Sequence, residues 1–391
     1  MRSSTRRTIL WALALVVALV LAGVGFARSG EESDQAVPES PSPHVPSADD
    51  IGDGCGDAAV TDPADISVDR TLARCGRGAP EPAPLPAAAT VRVAAAASSE
   101  AVAPLLLADA MGEFDAENLR VEIVDVQGSE AYAAMAAGDV DVVVGGIDAP
   151  FFDAAHEGLD ARLVLGGPVT RSPGDLGTDQ AGLWVRADLI TEDDDWENVA
   201  SQTVLLPGGM GSSAVYPIDT TLRQNELNIN SVDLVAARPA DAAARLRNAE
   251  VGAAWLPEPV VSEVADDPAL RLVATLPGSE SIDGTVLSPR LIGAERATGQ
   301  AYVRAIIRTI NTHLPDDYGD DALPALAEAL HVDEADLAAG PPLLFDWELR
   351  SGTTGRIQES LIAAGGVRYE EPVAESALVD RSLVAEVVAP G

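Results

Sequence analysis

The middle of the chain alternates between short apolar runs and stretches in which apolar residues recur at every third or fourth position. The short runs predict strands, and the longer spacing predicts helices. Strands are expected at 90–94, 119–126, 140–144 and 161–165, and helices at 100–112 and 129–137. Strands that alternate with helices favour parallel pairing, with helices covering both faces of the sheet.

A second set of the same kind follows. It predicts strands at 203–206, 232–236, 251–255 and 270–276, with helices at 212–224 and 240–248. Beyond residue 293 the pattern is helical, at 294–313, 322–330 and 353–364. The pattern therefore predicts an α/β protein of two lobes, each a mostly parallel sheet flanked by helices, with a helical C-terminal tail.

The N-terminus has the pattern of an export signal. Arg2, Arg6 and Arg7 precede an unbroken apolar run at 9–27 that ends in small residues. The run is also almost long enough to span a bilayer, so cleavage after Ala27 and retention as a membrane anchor both stay open. The paired arginines also resemble a twin-arginine signal. Because no cysteine closes the run, a lipid anchor is not indicated.

Residues 28–89 have the composition of an acidic, proline-rich linker. Cys55 and Cys75 are the two cysteines of the chain, and in an exported protein such a pair is expected to form a disulfide. The proline-rich stretch at 78–86 favours an extended spacer of the polyproline type. The folded body is therefore expected to begin near Thr90.

The charge of the chain is strongly negative. It has 62 acidic residues against 25 basic residues, all of them arginine, and its formal net charge is −37. Nucleic acids and anionic membrane surfaces are disfavoured as partners, because binding them requires clustered basic residues. Both adaptation to high salt and a biased genome composition are compatible with this acidity.

The stretch LLPGGMGSSAVYP, at 205–217, resembles a phosphate-binding loop without its lysine. It also lacks the third glycine of the dinucleotide-binding pattern. What remains is a strand, a glycine turn and a helix start at Ser212 and Ser213. Such a start offers backbone N–H groups and hydroxyls to an acceptor, although a plain serine cap has the same sequence pattern.

No catalytic, metal-binding or cofactor-binding constellation is evident from the sequence. The nucleophile pattern Gly-x-Ser-x-Gly is absent, and the acidic run at 193–195 lacks the rest of a calcium loop. The histidines show no spacing suited to a metal or a triad: His44, His156, His313 and His331. Asp148 and Glu258 follow predicted strand ends, where ligand sites form in α/β sheets, and Arg171 could pair with an acidic ligand. For each of the three, a surface position is the alternative.

Several segments, taken in order, resemble the solute-binding proteins of ABC importers. They are MGEFDAENLRVE (111–122), AGDVDVVVGG (137–146), VLLPGG (204–209), AAWLPEP (253–259) and GVRYEEP (366–372). The likeness is to the nitrate-, sulfonate- and taurine-binding branch, which is related to thiamine-pyrimidine synthases, and it covers residues 90 to 385.

The resemblance implies a two-lobed type II periplasmic-binding fold with the solute held between the lobes. Lobe I would comprise 90–182 and 286–391, and lobe II would comprise 183–285. Carried onto this sequence, the family's ligand loops comprise Ser98, Ser99, Gly146, Asp148, Gly211, Ser212, Ser213, Trp255 and Glu258. Ser98, Asp148 and Ser212 would donate or accept hydrogen bonds, and Trp255 would stack on the solute.

We therefore expect an exported, monomeric receptor on the outer face of a bacterial membrane that passes a small polar solute to an ABC permease. The solute could be a sulfonate, a carboxylate or a heterocycle. One alternative is a membrane-anchored sensor or scaffold with the same fold. Another is an enzyme on this fold, a dehydratase or a pyrimidine synthase. No enzyme is expected, because residues 90–391 lack the cysteine cluster of the pyrimidine synthases.

Overall fold

The computed structural model describes residues 55, 60–68, 70–124, 126–170, 181–190, 196–257, 260–315, 318–319, 321–339 and 343–388. All of them lie within one compact unit, Pro43–Gly391. No helix in these ranges has the length and apolar character needed to cross a membrane. The predicted apolar segment at 9–27 and the linker up to residue 54 lie outside the described residues.

The strands alternate with helices, as the apolar pattern predicts. The strands are β1 (Ala89–Ala95), β2 (Leu119–Val124), β3 (Val142–Gly146), β4 (Arg162–Gly166), β5 (Pro168–Val169), β6 (Gly182–Arg186), β7 (Thr203–Leu206), β8 (Asp233–Ala236), β9 (Ala253–Leu256), β10 (Leu270–Thr275), β11 (Asp283–Leu287) and β12 (Leu344–Phe345). The helices are α1 (Ala103–Ala110), α2 (Gly128–Ala137), α3 (Ala149–His156), α4 (Val215–Gln224), α5 (Pro239–Arg247), α6 (Pro289–Ile292), α7 (Arg296–His313), α8 (Ala322–Leu330), α9 (Glu334–Ala339), α10 (Thr353–Ala364) and α11 (Ser382–Val388).

Two five-stranded sheets form the body. In the first sheet, β1 to β4 run in one direction and β11 runs against them, in the order β2-β1-β3-β11-β4. In the second sheet, β7 to β10 run in one direction and β6 runs against them, in the order β10-β6-β9-β7-β8. Each reversed strand follows directly after the chain crosses from one sheet to the other. The fold class is thus the predicted α/β class with mostly parallel sheets.

The C-terminal tail contacts both halves of the molecule. Helix α7 packs against α1 and α11 beside the first sheet. Helix α10 packs against α4, which follows a strand of the second sheet. The Ser360 hydroxyl donates to Asp219 Oδ2 at 2.9 Å, and the Asn230 side-chain amide donates to the Ala363 carbonyl at 3.1 Å. The tail therefore contacts elements of both halves, whereas the expected lobe I of 90–182 and 286–391 would confine it to the half built on the first sheet.

The residues before Thr90 are more than a linker. The N-terminal strap, which we define as residues 60–68 and 70–89, lies along α7 and the segment after β12. Cys75 is fully buried in the core with α7 and forms the predicted disulfide with Cys55. The Asn311 side-chain amide donates to the Ala79 carbonyl at 3.2 Å. The folded body thus begins earlier than the predicted boundary near Thr90, because strap side chains contribute to its core.

Candidate ligand-binding site

A cavity of about 1850 Å³ lies where the strand ends of the two sheets face each other. The carboxyl ends of β1 and β3 contribute from the first sheet, and those of β7 and β9 contribute from the second. Such edges are where open α/β sheets bind ligands. Eight residues of the predicted ligand loops line this cavity: Ser98, Ser99, Gly146, Asp148, Gly211, Ser212, Ser213 and Trp255. The ninth, Glu258, lies outside the described residues, as does Arg171.

The first predicted loop follows β1. Ser98 is exposed to the cavity, and Ser99 caps the short helical turn Glu100–Val102. The Ser99 hydroxyl oxygen accepts from the Ala101 N–H at 3.4 Å. The Ser99 side chain is therefore committed in part to local structure, whereas Ser98 is available to a solute.

The glycine turn after β7 makes close backbone contacts. Gly208 and Gly209 adopt positive φ angles of 75° and 60°, a conformation that glycine adopts without strain. A β-carbon on Gly366, just after α10, would lie 2.0 Å from the Met210 carbonyl oxygen. A β-carbon on Gly211 would lie 3.3 Å from the Ala149 side chain. The glycines of LLPGGMGSSAVYP thus allow three chain segments to meet at the wall of the cavity.

The helix start after this turn is not open to an anion. Helix α4 begins at Val215, three residues later than predicted, and the Ser212 hydroxyl oxygen accepts from the Ala214 N–H at 3.3 Å. The Ser213 N–H donates to Asp148 Oδ1 at 2.7 Å. The position that the sequence offers to an acidic ligand therefore already holds a carboxylate of the chain itself.

Asp148 lies deep in the cavity with part of its surface open to it. It follows β3 and directly precedes α3. Burial raises the pKa of the Asp148 carboxyl, and the hydrogen bonds from Ser213 oppose part of this increase. Its contact with Ser213 joins the half of the molecule built on the first sheet to the half built on the second.

Asp283, which the sequence analysis did not select, is a second carboxylate in the same cavity. It begins β11 and lies directly opposite Gly146 on β3. Burial and the nearby charge of Asp148 raise the pKa of Asp283 to about 7. No hydrogen bond or ion pair holds its carboxylate among the described residues. The sequence carries no local signal for it, because its position depends on β11 returning antiparallel beside β3.

Two aromatic side chains form apolar walls of the cavity. They are Trp255, near the end of β9, and Tyr132, on α2. Each residue has only 5% of its surface exposed. Burial, followed by the charge of Asp148, raises the pKa of the Tyr132 hydroxyl, so this ring stays neutral. The sequence pattern predicts Tyr132 only as a core residue of α2.

The two arginines among the described lining residues lie at the rim. Arg238 Nε donates to Asp241 Oδ2 at 2.8 Å, and Arg368 Nη1 donates to Glu157 Oε1 at 2.9 Å. Arg368 also lies 3.4 Å from Asp153. Both arginine side chains are mostly exposed. Their charges are therefore compensated by rim carboxylates rather than by Asp148 or Asp283.

The wall of the cavity carries few kinds of functional group. Its described lining contains no histidine, cysteine or lysine. Within the described ranges, no group of three or more metal-binding side chains is arranged to hold an ion. What it offers is carboxylates, hydroxyls, backbone groups and aromatic walls.

No family model and no curated protein sequence matches the chain. Solved structures with similar folds include an alkanesulfonate-binding protein from Xanthomonas axonopodis pv. citri bound to MOPS. It is 18% identical, with a TM-score of 0.58, and the match covers 75% of this chain and 99% of that protein. The ligand-binding component of an ABC-type import system from Staphylococcus aureus, with zinc bound, is 12% identical. Its TM-score is 0.60, and the match covers 77% of this chain and 99% of that protein.

The periplasmic nitrate-binding protein of Synechocystis PCC 6803 is 13% identical, with a TM-score of 0.54. That match covers 78% of this chain and 89% of that protein. In all three cases the likeness covers at least 75% of this chain and at least 89% of the other protein. The chain therefore has the type II periplasmic-binding fold of the sulfonate- and nitrate-binding proteins, as the sequence resemblance implied.

Proposed function

We propose that this chain is the exported solute-binding component of an ABC importer, which captures a small polar solute in its cavity and delivers it to a membrane permease. The single observation that carries the proposal is the cavity itself. Its walls come from the strand ends of both sheets, and eight residues of the ligand loops predicted from the sequence line it. The fold shared with periplasmic solute-binding proteins supports the same role.

Capture requires that the solute prefers the closed arrangement of the two halves. A ligand shifts a conformational equilibrium only by its difference in affinity for the two states, and contacts from both halves supply that difference. Asp148 and Ser98 would contact the solute from the first half, and Trp255 and Ser212 from the second. The Asp148–Ser213 hydrogen bond would assist closure, because it joins the two halves.

Small-angle X-ray scattering with calorimetry tests this function. The full exported chain is titrated with a panel of anionic, zwitterionic and cationic small solutes. We expect one class to bind with measurable heat and to reduce the radius of gyration. If no solute of any charge gives heat or compaction, the receptor function is excluded.

The chief alternative is a membrane-anchored sensor or scaffold. It differs from a freely released receptor at residues 9–27, so the N-terminus of the protein purified from its own membrane distinguishes the two. A mature start at Arg28 supports the released receptor, whereas an intact apolar segment supports an anchored one. For an enzyme on this fold, the relevant observation is that the pKa values of the cavity carboxyls Asp148 and Asp283 are raised. Turnover that is abolished in Asp148→Asn while solute binding is retained would support an enzyme.

A further inference from the structure

Resting on the proposed receptor function, we propose that the solute is an organic cation whose protonated or quaternary nitrogen is held between Asp148 and Asp283. Four features of the cavity favour such a solute: its distribution of charge, the arrangement of the two carboxylates, the aromatic walls and the occupied helix start.

Among the described residues, no positively charged side chain compensates the carboxylates in the deep part of the cavity. The carboxylates at the rim, Asp153, Glu157 and Asp241, each contact an arginine. The Asp148 carboxylate accepts from Ser213, and the Asp283 carboxylate has no hydrogen-bond partner among the described residues, since Ser281 contacts only the Asp283 backbone. Carboxylates removed from water are costly unless a positive charge compensates them. The missing positive charge is therefore assigned to the solute.

The two carboxylates are placed to share one cation. Gly146 is the cross-strand partner of Asp283, and a β-carbon on Gly146 would lie 2.5 Å from Asp148 Oδ1. The Asp148 carboxyl thus occupies the place of a side chain at position 146. Directly opposed side chains on antiparallel strands have β-carbons about 5 Å apart, on the same face of the sheet. One ammonium group can contact both carboxyls at that separation.

Glycines keep this place free. Gly146 on β3 and Gly167 just after β4 flank Asp283 on its two neighbouring strands. A β-carbon on Gly167 would lie 3.0 Å from the Asp283 β-carbon. Larger residues at these positions would cover the carboxylate, so the glycines leave it accessible from the cavity.

The aromatic walls favour an organic cation over a metal ion. Tyr132 and Trp255 bring apolar ring surface into the same cavity, and the charge of Asp148 acts on the Tyr132 hydroxyl. Aromatic faces attract alkylated ammonium groups, which a carboxylate alone would not hold selectively. A bare divalent ion would need more oxygen ligands, and the described residues provide no cluster of three or more acidic, histidine or cysteine side chains.

The same geometry opposes anions. Asp148 already accepts the N–H of Ser213, two residues before α4 begins. A sulfonate or nitrate bound there would have to displace the Asp148 carboxylate and would then lie beside two negative charges, those of Asp148 and Asp283. Like charges brought together in a partly desolvated site repel each other strongly.

Isothermal titration of the full chain with matched probes tests the proposal. The cationic probes are choline, putrescine and agmatine; the zwitterion is taurine; the anions are ethanesulfonate and nitrate; calcium and zinc chloride are the metal probes. We expect an organic cation to bind, and Asp283→Asn to weaken its affinity by about 10–100-fold, which is typical of losing a hydrogen bond to a charged group. Asp139→Asn makes the same charge change on an exposed side chain outside the cavity and serves as the control. It should change the affinity less than about two-fold.

The outcomes separate this inference from the receptor function. Binding of ethanesulfonate or nitrate with compaction, and no binding of the cations, overturns the cationic solute and leaves the receptor function intact. Binding of calcium or zinc alone likewise overturns the organic cation. Equal cation affinity in Asp283→Asn and wild type overturns the role of the carboxylate pair. No binding by any probe, with no compaction, counts against both proposals.

Discussion

The buried acids around α7 and the acids in the cavity of this molecule have opposite surroundings. Beside α7, Glu117 is fully buried and contacts Arg304 at 2.7 Å and Arg308 at 2.8 Å. At the strap, Asp346 is buried between Arg70 and Arg350. In the cavity, Asp148 and Asp283 have no arginine among the described residues.

The presence or absence of a paired arginine separates acids that stabilise the fold from acids that are available to a ligand. A buried ion pair is self-contained, and removing one partner is costly because the other charge stays buried. An uncompensated carboxylate in a cavity destabilises the folded state until a proton or a cation reaches it. Within the part of the chain that the structure describes, arginines pair with the structural acids and none pairs with Asp148 or Asp283. The uncompensated charge therefore distinguishes the acids of the candidate site from the structural acids.

The largest effect is expected at Glu117. Glu117→Gln keeps the shape but leaves Arg304 and Arg308 without their shared anion. We expect the free energy of unfolding to fall by about 3–5 kcal/mol, measured by denaturant titration. Glu122→Gln, on a partly exposed side chain of β2, is the control. Equal stability of the two variants would show that the structural acids are not held by ion pairing.

A smaller loss is expected at the strap. Arg70 Nη1 donates to the Gly278 carbonyl at 2.8 Å, and its Nη2 contacts Asp346. In Arg70→Met, Asp346 keeps Arg350, so we expect a loss of about 2 kcal/mol in denaturant titration. Wild-type stability in this variant would contradict the contribution of the strap to the fold.

In the cavity, removing an acid is expected to raise the free energy of unfolding rather than to lower it. The pKa of Asp283, about 7, lies above its unfolded value near 3.8. The folded state binds the proton more tightly, so the stability from this group is fully present below about pH 4 and is lost as the pH rises through about 7. We expect Asp283→Asn to be more stable than wild type by about 2 kcal/mol at about pH 8, and by much less at about pH 4.

Thermal or denaturant unfolding of both proteins across this range measures the effect. Comparing the two proteins cancels the contribution of Glu100, a buried acid beside Tyr318 whose pKa burial also raises to about 7. A stability difference that does not vary with pH would contradict the assignment to Asp283.

The smallest effect is expected at the rim. Arg368 is mostly exposed and contacts Asp153 and Glu157. Exposed ion pairs contribute about 0–1 kcal/mol, so Arg368→Ala should change the free energy of unfolding by less than about 1 kcal/mol. A loss as large as that of Glu117→Gln would remove the distinction between rim and buried pairs.

The sequence predicts the local features of this molecule and misses those that depend on distant pairing. Helices α8 and α10 coincide with their predicted ranges, because their apolar spacing is regular. The short helix α3 was missed, since its eight residues offer little periodicity. The helix predicted at 129–137 begins one residue earlier, at Gly128, and Gln127 occupies the N-cap position.

The candidate site follows the same rule. Asp148 and the glycine turn could be selected because each follows a strand directly in the sequence. Asp283 could not, because its place depends on β11 inserting between β3 and β4 after a crossing from the other sheet. Nor could the pairing of Glu117 with Arg304 and Arg308, which are 187 and 191 residues away.

Proton release on binding tests the central claim most directly. The tightest organic cation is titrated calorimetrically near pH 7 in buffers of different ionisation enthalpy. A cation beside Asp283 lowers its pKa from about 7, so the account predicts release of about half a proton per solute bound. Proton uptake, no proton exchange, or unchanged release in Asp283→Asn would contradict it.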